Sequence, residues 1–353
     1  MTTLHILSCP YAATTPKNRV DPFPILTYKF INHMMSYGWN CIHYGTVGSE
    51  VECEDVVCNP ELTYLPPEYP GHVNTTTDRG PNTQRFNHTA GLEIAKRKRP
   101  GDIIICFHGI DNKGACDANP ELKAVEASIG YDNRAVWAPY RVFTSYAHMH
   151  MFYGQRDMLM NPSWFDAVIP NAISQGEFDF HDKKEDYFVC LGRVIENKGI
   201  HLAIQATQEA GVKLKIAGPG SLQNLGYKVI PNHVEYLGIV DVTTRRQLLS
   251  KARGIIGATY YIEPFGNMIA EALMSGTPAI TTDWGGFVDT NVHGLTGYRC
   301  RDFRDFVHAI RNIDKINPLD CLQYAVTHFE DKVVHEQLHH YLQKINDMNF
   351  YRK

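Results

Sequence analysis

Short apolar segments alternate with helical stretches along most of this chain, and that alternation limits its fold more than any other feature. Residues 23–38 repeat apolar side chains at helical spacing and end at Gly38, which is typical of a helix end. Alternating strands and helices predict a mostly parallel sheet with helices on both faces. Ligands of such sheets bind beyond the carboxyl ends of the strands. In the first half, the predicted strands are residues 4–9, 40–45, 102–109, 122–130 and 140–147.

A second alternating series predicts a second α/β domain. The polar run at residues 179–186 (DFHDKKED) is typical of a linker. A length of 353 residues also suits two domains of roughly 100–200 residues each. We therefore predict an N-terminal domain over residues 1–178, a C-terminal domain over 179–335 and a terminal helix within 336–353. The strand-like segments of the second series are residues 186–194, 212–220, 233–240, 253–260 and 277–284.

Residues 46–90 interrupt the alternation. The part from 73 to 89 (VNTTTDRGPNTQRFNHT) is polar and rich in turn formers, which predicts a long loop. Long loops inside compact domains are usually functional or disordered. This one either lines an acceptor site or is a surface insertion.

Composition and charge exclude several classes of protein. The net charge of −4 and the isoelectric point near 6.5 give no overall attraction to nucleic acid or to anionic membranes. No apolar run approaches the roughly 18 residues of a membrane span, and the N-terminus reads as a strand rather than a signal peptide. The nine cysteines are scattered and show no zinc-like spacing, which favours reduced, buried thiols. We expect a cytoplasmic protein without a metal site.

The segment YIEPFGNMIAEALMSGTPAITTDWGG (261–286) carries the sharpest motif. Glu263 ends an apparent strand, Gly266 allows close backbone approach, and a helix is predicted from about Asn267. The free N–H groups at the start of a helix bind anions without a metal. Glu271, a little over one turn along, can reach a ribose diol, and Glu263 can face hydroxyls of a sugar. Alternatively, Glu263 caps the helix and Glu271 is a solvated surface charge.

Two cations stand beside the predicted helix start in residues 191–206. Arg193 and Lys198 oppose the usual preference for acidic side chains at this end of a helix. A bound diphosphate would compensate them, since arginine offers a planar fork and lysine a point charge. The alternative is a pair of exposed surface cations. Further along, Gly238 ends a strand-like segment where backbone groups could hold the edge of a nucleobase.

Together these motifs resemble retaining glycosyltransferases of the GT-B fold, of the family 4 type. The family's pair of acidic residues, E-x7-E, appears here as Glu263 and Glu271, within the context E-P-F-G-x-x-x-x-E-A-L-x-x-G-x-P. The resemblance spans residues 167 to about 300, and the motifs follow the family's order. The other matching elements are G-R-x-x-x-x-K-G at 192–199, A-G-x-G at 217–220 and I-P-N at 169–171.

The resemblance implies two Rossmann-like domains that face each other across a cleft. It implies that Arg193 and Lys198 bind the donor diphosphate and that Glu271 holds the ribose hydroxyls. It also implies that the last helix packs back on the first domain. The transferred sugar would be held by Glu263 and by the backbone of Phe265, Gly266 and Asn267.

The N-terminal half matches the family only in outline. Relatives often carry a glycine-rich loop after the first strand, whereas this chain reads SCPYAATTPKNRVDPF there, without glycine. Arg19 and Asp21 are the reactive residues in that stretch. They either contact a substrate or form a structural ion pair.

Relatives often place a histidine at a strand end, facing the sugar. His108 ends the strand-like segment IIICFHG, and Glu126 lies in the next strand, near the family's histidine position. A carboxylate in an apolar strand is costly unless it is paired or functional. We therefore predict His108 and Glu126, with Glu263, as catalytic residues. His148 and His150 follow the fifth strand and are weaker candidates.

The basic run at residues 96–99 (KRKR) allows two interpretations. Cations at the end of a helix complement its dipole. The run could instead contact nucleic acid or an anionic acceptor.

The activity predicted from these features is transfer of a hexose or pentose, without metal or cofactor. The donor is a nucleoside diphosphate sugar, with a UDP-sugar favoured, and a glycan or small molecule is the default acceptor. The resemblance implies retention at the anomeric carbon. Three alternatives stay open: glycosylation of a hydroxymethylated DNA base by a phage-type enzyme, a GT-B nucleotide-sugar epimerase, and a binding protein without turnover.

Overall fold

The computed structural model describes residues 2–17, 22–60 and 80–347. The chain divides into two compact units, near Ile169 and again near Val334, whereas the sequence placed the divisions at residues 178 and 336. The first unit comprises Met1–Thr144, Phe152–Ile169 and Val334–Lys353, and the second comprises Ser145–Met151 and Pro170–Val333.

The first unit contains a parallel sheet of seven strands in the order β3-β2-β1-β4-β5-β6-β7. All five strands predicted in this half are present. The strands are β1 (Thr3–Leu7), β2 (Asn40–Thr46), β3 (Glu54–Asn59), β4 (Ile103–Cys106), β5 (Lys123–Ile129), β6 (Tyr140–Phe143) and β7 (Ala167–Val168).

The first four helices are α1 (Pro22–Ser36), α2 (Pro81–Arg97), α3 (Lys113–Asp117) and α4 (Tyr146–Gln155). Helix α2 corrects the sequence analysis, because the polar segment predicted as a loop is helical from Pro81 onward. Phe86, Ala90 and Ile94 recur every four residues and are buried, so this apolar row stabilises the helix despite its polar neighbours. The rest of the predicted loop, residues 73–79, lies outside the described residues.

The second unit contains a parallel sheet of six strands in the order β10-β9-β8-β11-β12-β13. Every strand predicted here is present, and β13 is an addition. The strands are β8 (Phe188–Leu191), β9 (Leu214–Ala217), β10 (Val234–Gly238), β11 (Gly254–Gly257), β12 (Ala279–Thr282) and β13 (Gly297–Cys300). The predicted fold class, two Rossmann-like α/β domains, is therefore confirmed.

The remaining helices are α5 (Ile200–Ala210), α6 (Val242–Lys251), α7 (Asn267–Met274), α8 (Phe287–Thr290), α9 (Phe303–Asn312), α10 (Pro318–Phe329) and α11 (Asp331–Asp347). Most of α11 belongs to the first unit and is fixed there by polar contacts. Trp39 Nε1 donates to His339 Nδ1 at 2.9 Å, and Lys123 Nζ donates to the carbonyl of Ile345 at 2.6 Å. The His33 and His335 rings stack with centroids 4.2 Å apart.

Both sheets are covered on both faces, which explains their continuous apolar strands. Every residue of β4, β11 and β12 is buried. All nine cysteines are unbonded, and eight of them are buried, as the sequence predicted.

A close backbone approach fixes the start of α5 beside the end of β11. Gly199 precedes the helix with a left-handed φ of 67°. A Cβ atom built there would lie 1.8 Å from the carbonyl oxygen of Ala258. Only glycine therefore fits, and its neighbour Lys198 is held next to the segment that follows β11.

We expect Gly199→Ala to destabilise the protein far more than Gly211→Ala. Both glycines have left-handed φ angles, 67° and 72°, so both substitutions cost about 1–2 kcal/mol of backbone strain. A Cβ at Gly211 meets no atom within 4 Å, whereas one at Gly199 overlaps a carbonyl. The free energy of unfolding, measured in urea, should fall by at least about 2 kcal/mol more for Gly199→Ala. Equal losses would contradict the close approach.

Candidate functional site

The amino end of α7 has no side-chain cap. The helix begins at Asn267, as predicted, after Gly266 in a left-handed conformation with φ of 87°. The N-cap position is a glycine, so it supplies no side-chain hydrogen bond to the first turn. Backbone N–H groups at such a helix start carry partial positive charge and suit an anion.

The loop before α7 is packed tightly against the turn after β12. The N–H of Gly286 donates to the carbonyl of Glu263 at 2.6 Å. Cβ atoms at Gly285 and Gly286 would lie 2.7 Å from Glu263 N and 2.6 Å from the Pro264 carbonyl oxygen. This contact fixes the backbone of Glu263, Pro264 and Phe265.

Glu263 sits in a cluster with Lys198 and Tyr261. Lys198 Nζ donates to Glu263 Oε2 at 2.6 Å, and the Tyr261 hydroxyl donates to the same oxygen at 2.5 Å. Lys198 Nζ also lies 5.0 Å from the centre of the Tyr261 ring. Burial and the charge of Glu263 raise the pKa of Tyr261, so the phenol remains a hydrogen-bond donor. The carboxylate of Glu263 does not cap α7, so the alternative interpretation of Glu263 as a helix cap is wrong.

Arg193 keeps an uncompensated charge. It follows β8, is exposed, and forms no ion pair with a carboxylate within the part of the chain that the structure describes. Its charge acts to lower the pKa of Tyr261, which places it near the cluster of Glu263, Lys198 and Tyr261. The structure thus brings Arg193 and Lys198, which follow β8, together with Glu263, which follows β11.

Glu271 is buried on α7 and forms an ion pair with Arg245 of α6. The alternative of a solvated surface charge is therefore wrong. Sequence reasoning missed Arg245 because it lies in a polar stretch, TTRR, without a motif. It also missed Tyr261, which is part of the motif but reads as an ordinary apolar residue.

Gly238 ends β10 as predicted. Its carbonyl accepts a hydrogen bond from the N–H of Gly218 at 2.7 Å. A Cβ at Gly238 would meet no atom within 4 Å, so there is open space beside this backbone. Contact with a nucleobase here stays a prediction.

His108 follows β4 in the first unit and is held on both ring nitrogens. The Tyr11 hydroxyl is hydrogen-bonded to Nε2 at 2.7 Å, and Asp111 Oδ2 is hydrogen-bonded to Nδ1 at 3.1 Å. The Tyr11 and Phe23 rings contact the imidazole edge to face, each with centroids 5.2 Å away. The imidazole is therefore oriented, and its catalytic role stays a prediction.

Glu126 lies in β5 with no exposed surface. Its Oε1 accepts from the Tyr131 hydroxyl at 2.8 Å, and its Oε2 accepts from the N–H groups of Trp137 and Ala138 at 3.0 and 2.8 Å. Burial raises the pKa of Glu126, although these hydrogen bonds act in the opposite direction. In this geometry the carboxyl group holds the segment after β5, and its catalytic role stays a prediction.

The other candidates of the first half differ in their surroundings. His148 is buried in the first turns of α4, whereas His150 is more exposed. Arg19 and Asp21 lie outside the described residues. The basic run is largely neutralised by carboxylates: Lys96 with Glu93, Arg97 with Glu54 and Glu93, and Lys98 with Glu121.

Residues 2–17, 22–60 and 80–347 contain neither a cluster of metal-ligating side chains nor a helix that could span a membrane. These residues contain no group of three or more histidine, cysteine, aspartate and glutamate side chains that could hold a metal ion. None of their helices is both long enough and apolar enough to cross a membrane.

This chain resembles known proteins in sequence and in fold. Residues 175–319 match the family model of Glycosyl transferases group 1. A glycogen synthase of Mycobacterium tuberculosis is 32% identical over 163 residues, which cover 42% of this chain and 39% of the synthase. The chain therefore aligns with well under half the length of this curated relative.

Two solved structures resemble the whole chain. Sucrose-phosphate synthase from Thermosynechococcus elongatus is 17% identical, with a TM-score of 0.70 over 98% of this chain and 99% of that one. Anabaena HepE, solved with UDP and glucose, is 13% identical, with a TM-score of 0.65 over 98% of this chain and 100% of that one. At these identities the likeness shows the fold alone, and that fold is GT-B.

We expect Glu126→Gln to preserve the protein and Glu126→Ala to destabilise it. The glutamine amide can keep all three contacts, with its oxygen accepting from Trp137 and Ala138 and its nitrogen donating to Tyr131. Alanine leaves these groups without partners, which should lower the free energy of unfolding by about 3 kcal/mol. Glu121→Gln, at an exposed carboxylate just before β5, is the control.

Wild type and Glu126→Gln should also differ in how their free energy of unfolding depends on pH. Because the pKa of Glu126 is raised on folding, the stability linked to its proton is full below the unfolded value of about 4.3. It is lost as pH rises through the folded value. Wild type should therefore lose stability relative to Glu126→Gln over that window, in urea titrations between pH 4 and 8. A constant difference would contradict a raised pKa.

Proposed function

We propose that the chain is a retaining glycosyltransferase that moves a sugar from a nucleoside diphosphate sugar to a hydroxyl acceptor. The observation that carries this proposal is the cluster of Lys198, Glu263 and Tyr261 near the uncompensated charge of Arg193. The uncapped amino end of α7 follows Glu263 by a few residues. Cations and carboxylate so arranged suit a ligand with a diphosphate and a polyol.

Breaking the bond between sugar and diphosphate leaves negative charge on the leaving group. Arg193, Lys198 and the first N–H groups of α7 would stabilise that charge, since donors fixed before the reaction need no reorganisation. This set can act without a metal, so we infer metal-independent transfer. No cofactor is required, because the donor carries its own leaving group.

Glu263 would hold the transferred sugar. Its carboxylate is already oriented by Lys198 and Tyr261, and a fixed acceptor can bind sugar hydroxyls with little loss of entropy. The backbone of Phe265, Gly266 and Asn267 would complete the sugar site, and Glu271 would bind the ribose. Retention would follow a front-face route, in which the departing phosphate helps to deprotonate the acceptor hydroxyl.

A UDP-sugar is the favoured donor, because Anabaena HepE, which shares the fold, was solved with UDP and glucose. Identity to that protein is low, so GDP- and ADP-sugars belong in the same test. A glycan or a small molecule is the proposed acceptor. Glycosylation of a DNA base gains no support from the basic run, whose cations are largely paired with Glu54, Glu93 and Glu121.

The test is nucleotide release from UDP-, GDP- and ADP-sugars in EDTA, with glycan, lipid and oligonucleotide acceptors. Release of one nucleotide, increased by one class of acceptor, is the expected result. Conversion of the donor without any acceptor would instead indicate an epimerase. Binding without release or conversion would indicate a protein that keeps the nucleotide site but does not turn over.

We expect Glu263→Gln to reduce transfer at least about 100-fold while nucleotide binding is kept. The amide is a weaker acceptor for sugar hydroxyls, but the loss of its charge frees Lys198 for the diphosphate. UDP affinity, measured by calorimetry, should therefore be unchanged or higher. Glu196→Gln, on an exposed carboxylate near Lys198, is the control. Lost binding with intact transfer would refute this assignment of Glu263.

A further inference from the structure

The carboxylate of Glu271 is held by one cation from a neighbouring helix. Arg245 of α6 contacts its Oε2, and the side chain of Glu271 is 10% exposed. Within the described residues, no hydrogen bond to Oε1 occurs. One oxygen of a mostly buried carboxylate is thus paired, and the other is available.

This pairing has two physical effects on Glu271. A mostly buried carboxylate without a partner would be costly, and the guanidinium compensates that charge. The charge of Glu271 in turn raises the pKa of Arg245, so the guanidinium stays charged. The contact also restricts a side chain that otherwise loses entropy when a ligand orders it.

The position of Arg245 links it to the rest of the nucleotide site. Helix α6 begins at Val242, four residues after Gly238 ends β10. Asp241 caps the helix by accepting a hydrogen bond from the N–H of Thr244 at 2.7 Å. The helix that follows the predicted nucleobase position therefore also carries the cation that holds the predicted ribose ligand. Arg245 itself lies seven residues after Gly238, at the start of α6.

We propose that Arg245 is a positioning residue, which sets the Glu271 carboxylate so that Oε1 accepts from the ribose hydroxyls. The chain would thereby select ribonucleotides over 2′-deoxyribonucleotides. This inference rests on the proposed function, because it requires a nucleotide beside Glu271. It goes further in assigning sugar selectivity to a residue outside the motifs.

Arg246 provides a matched control. It is the next residue of α6, it is also an arginine, and it pairs with a carboxylate, but its partner is Asp179. Arg246→Gln removes a similar ion pair from the same helix without affecting Glu271. A general loss of helix stability would affect both variants, whereas a loss of ribose selectivity should affect Arg245→Gln alone.

The experiment measures the Kd of UDP and of 2′-deoxy-UDP by calorimetry, with the matching GDP and ADP pairs in parallel. Wild type should prefer UDP by about 10-fold or more, as expected for one lost hydrogen bond to a buried charge. Arg245→Gln should reduce that preference to under about threefold, and Arg245→Lys should restore part of it. Thermal unfolding of each variant checks that it is folded.

A double-mutant cycle tests whether Arg245 acts through Glu271. Glu271→Gln alone should also lower the preference, and adding Arg245→Gln should lower it no further. An unchanged preference in Arg245→Gln would overturn the inference, and so would tighter UDP binding, which indicates that Arg245 blocks Glu271. If wild type binds none of these nucleotides, the proposed function itself is overturned.

Discussion

The backbone contact between Gly199 and Ala258 is the constraint on which the candidate donor site depends. It brings the start of α5 against the end of β11, two elements that are far apart in sequence. The approach leaves no room for a side chain at Gly199, and it holds Lys198 beside the segment that carries Tyr261 and Glu263. The charged cluster is thus a consequence of how the sheet is covered, and not of the charges alone.

The two halves treat their polar groups differently. In the first unit, two buried groups have polar partners on both sides: His108 lies between Tyr11 and Asp111, and Glu126 accepts three hydrogen bonds. In the second unit, Arg193 remains uncompensated. Polar groups that are hydrogen-bonded to each other hold the backbone around them, whereas a cation without a carboxylate partner can bind an anion.

Much of this arrangement could be predicted from the sequence, because its periodicity and glycine-marked turns reflect local physics. The five strands predicted in each half and the start of α7 at Asn267 follow from such local signals, whereas β3, β7 and β13 were not predicted. Helix α2 was missed because its apolar row of Phe86, Ala90 and Ile94 lies among turn-forming residues. Arg245 was missed for another reason: its pairing with Glu271 joins two helices, and nothing in its own neighbourhood signals a distant partner.

The glycines of the loop before α7 and of the turn after β12 also limit how this sequence can change during evolution. A Cβ atom at Gly266 would lie 2.4 Å from the ring of Phe287, and one at Gly286 would overlap the backbone of Phe265. A smaller residue at position 287 would relieve the first overlap but not the second. The turn after β12 and the loop before α7 therefore have to be inherited together, so that recombination between relatives is tolerated outside residues 263–287 better than within them.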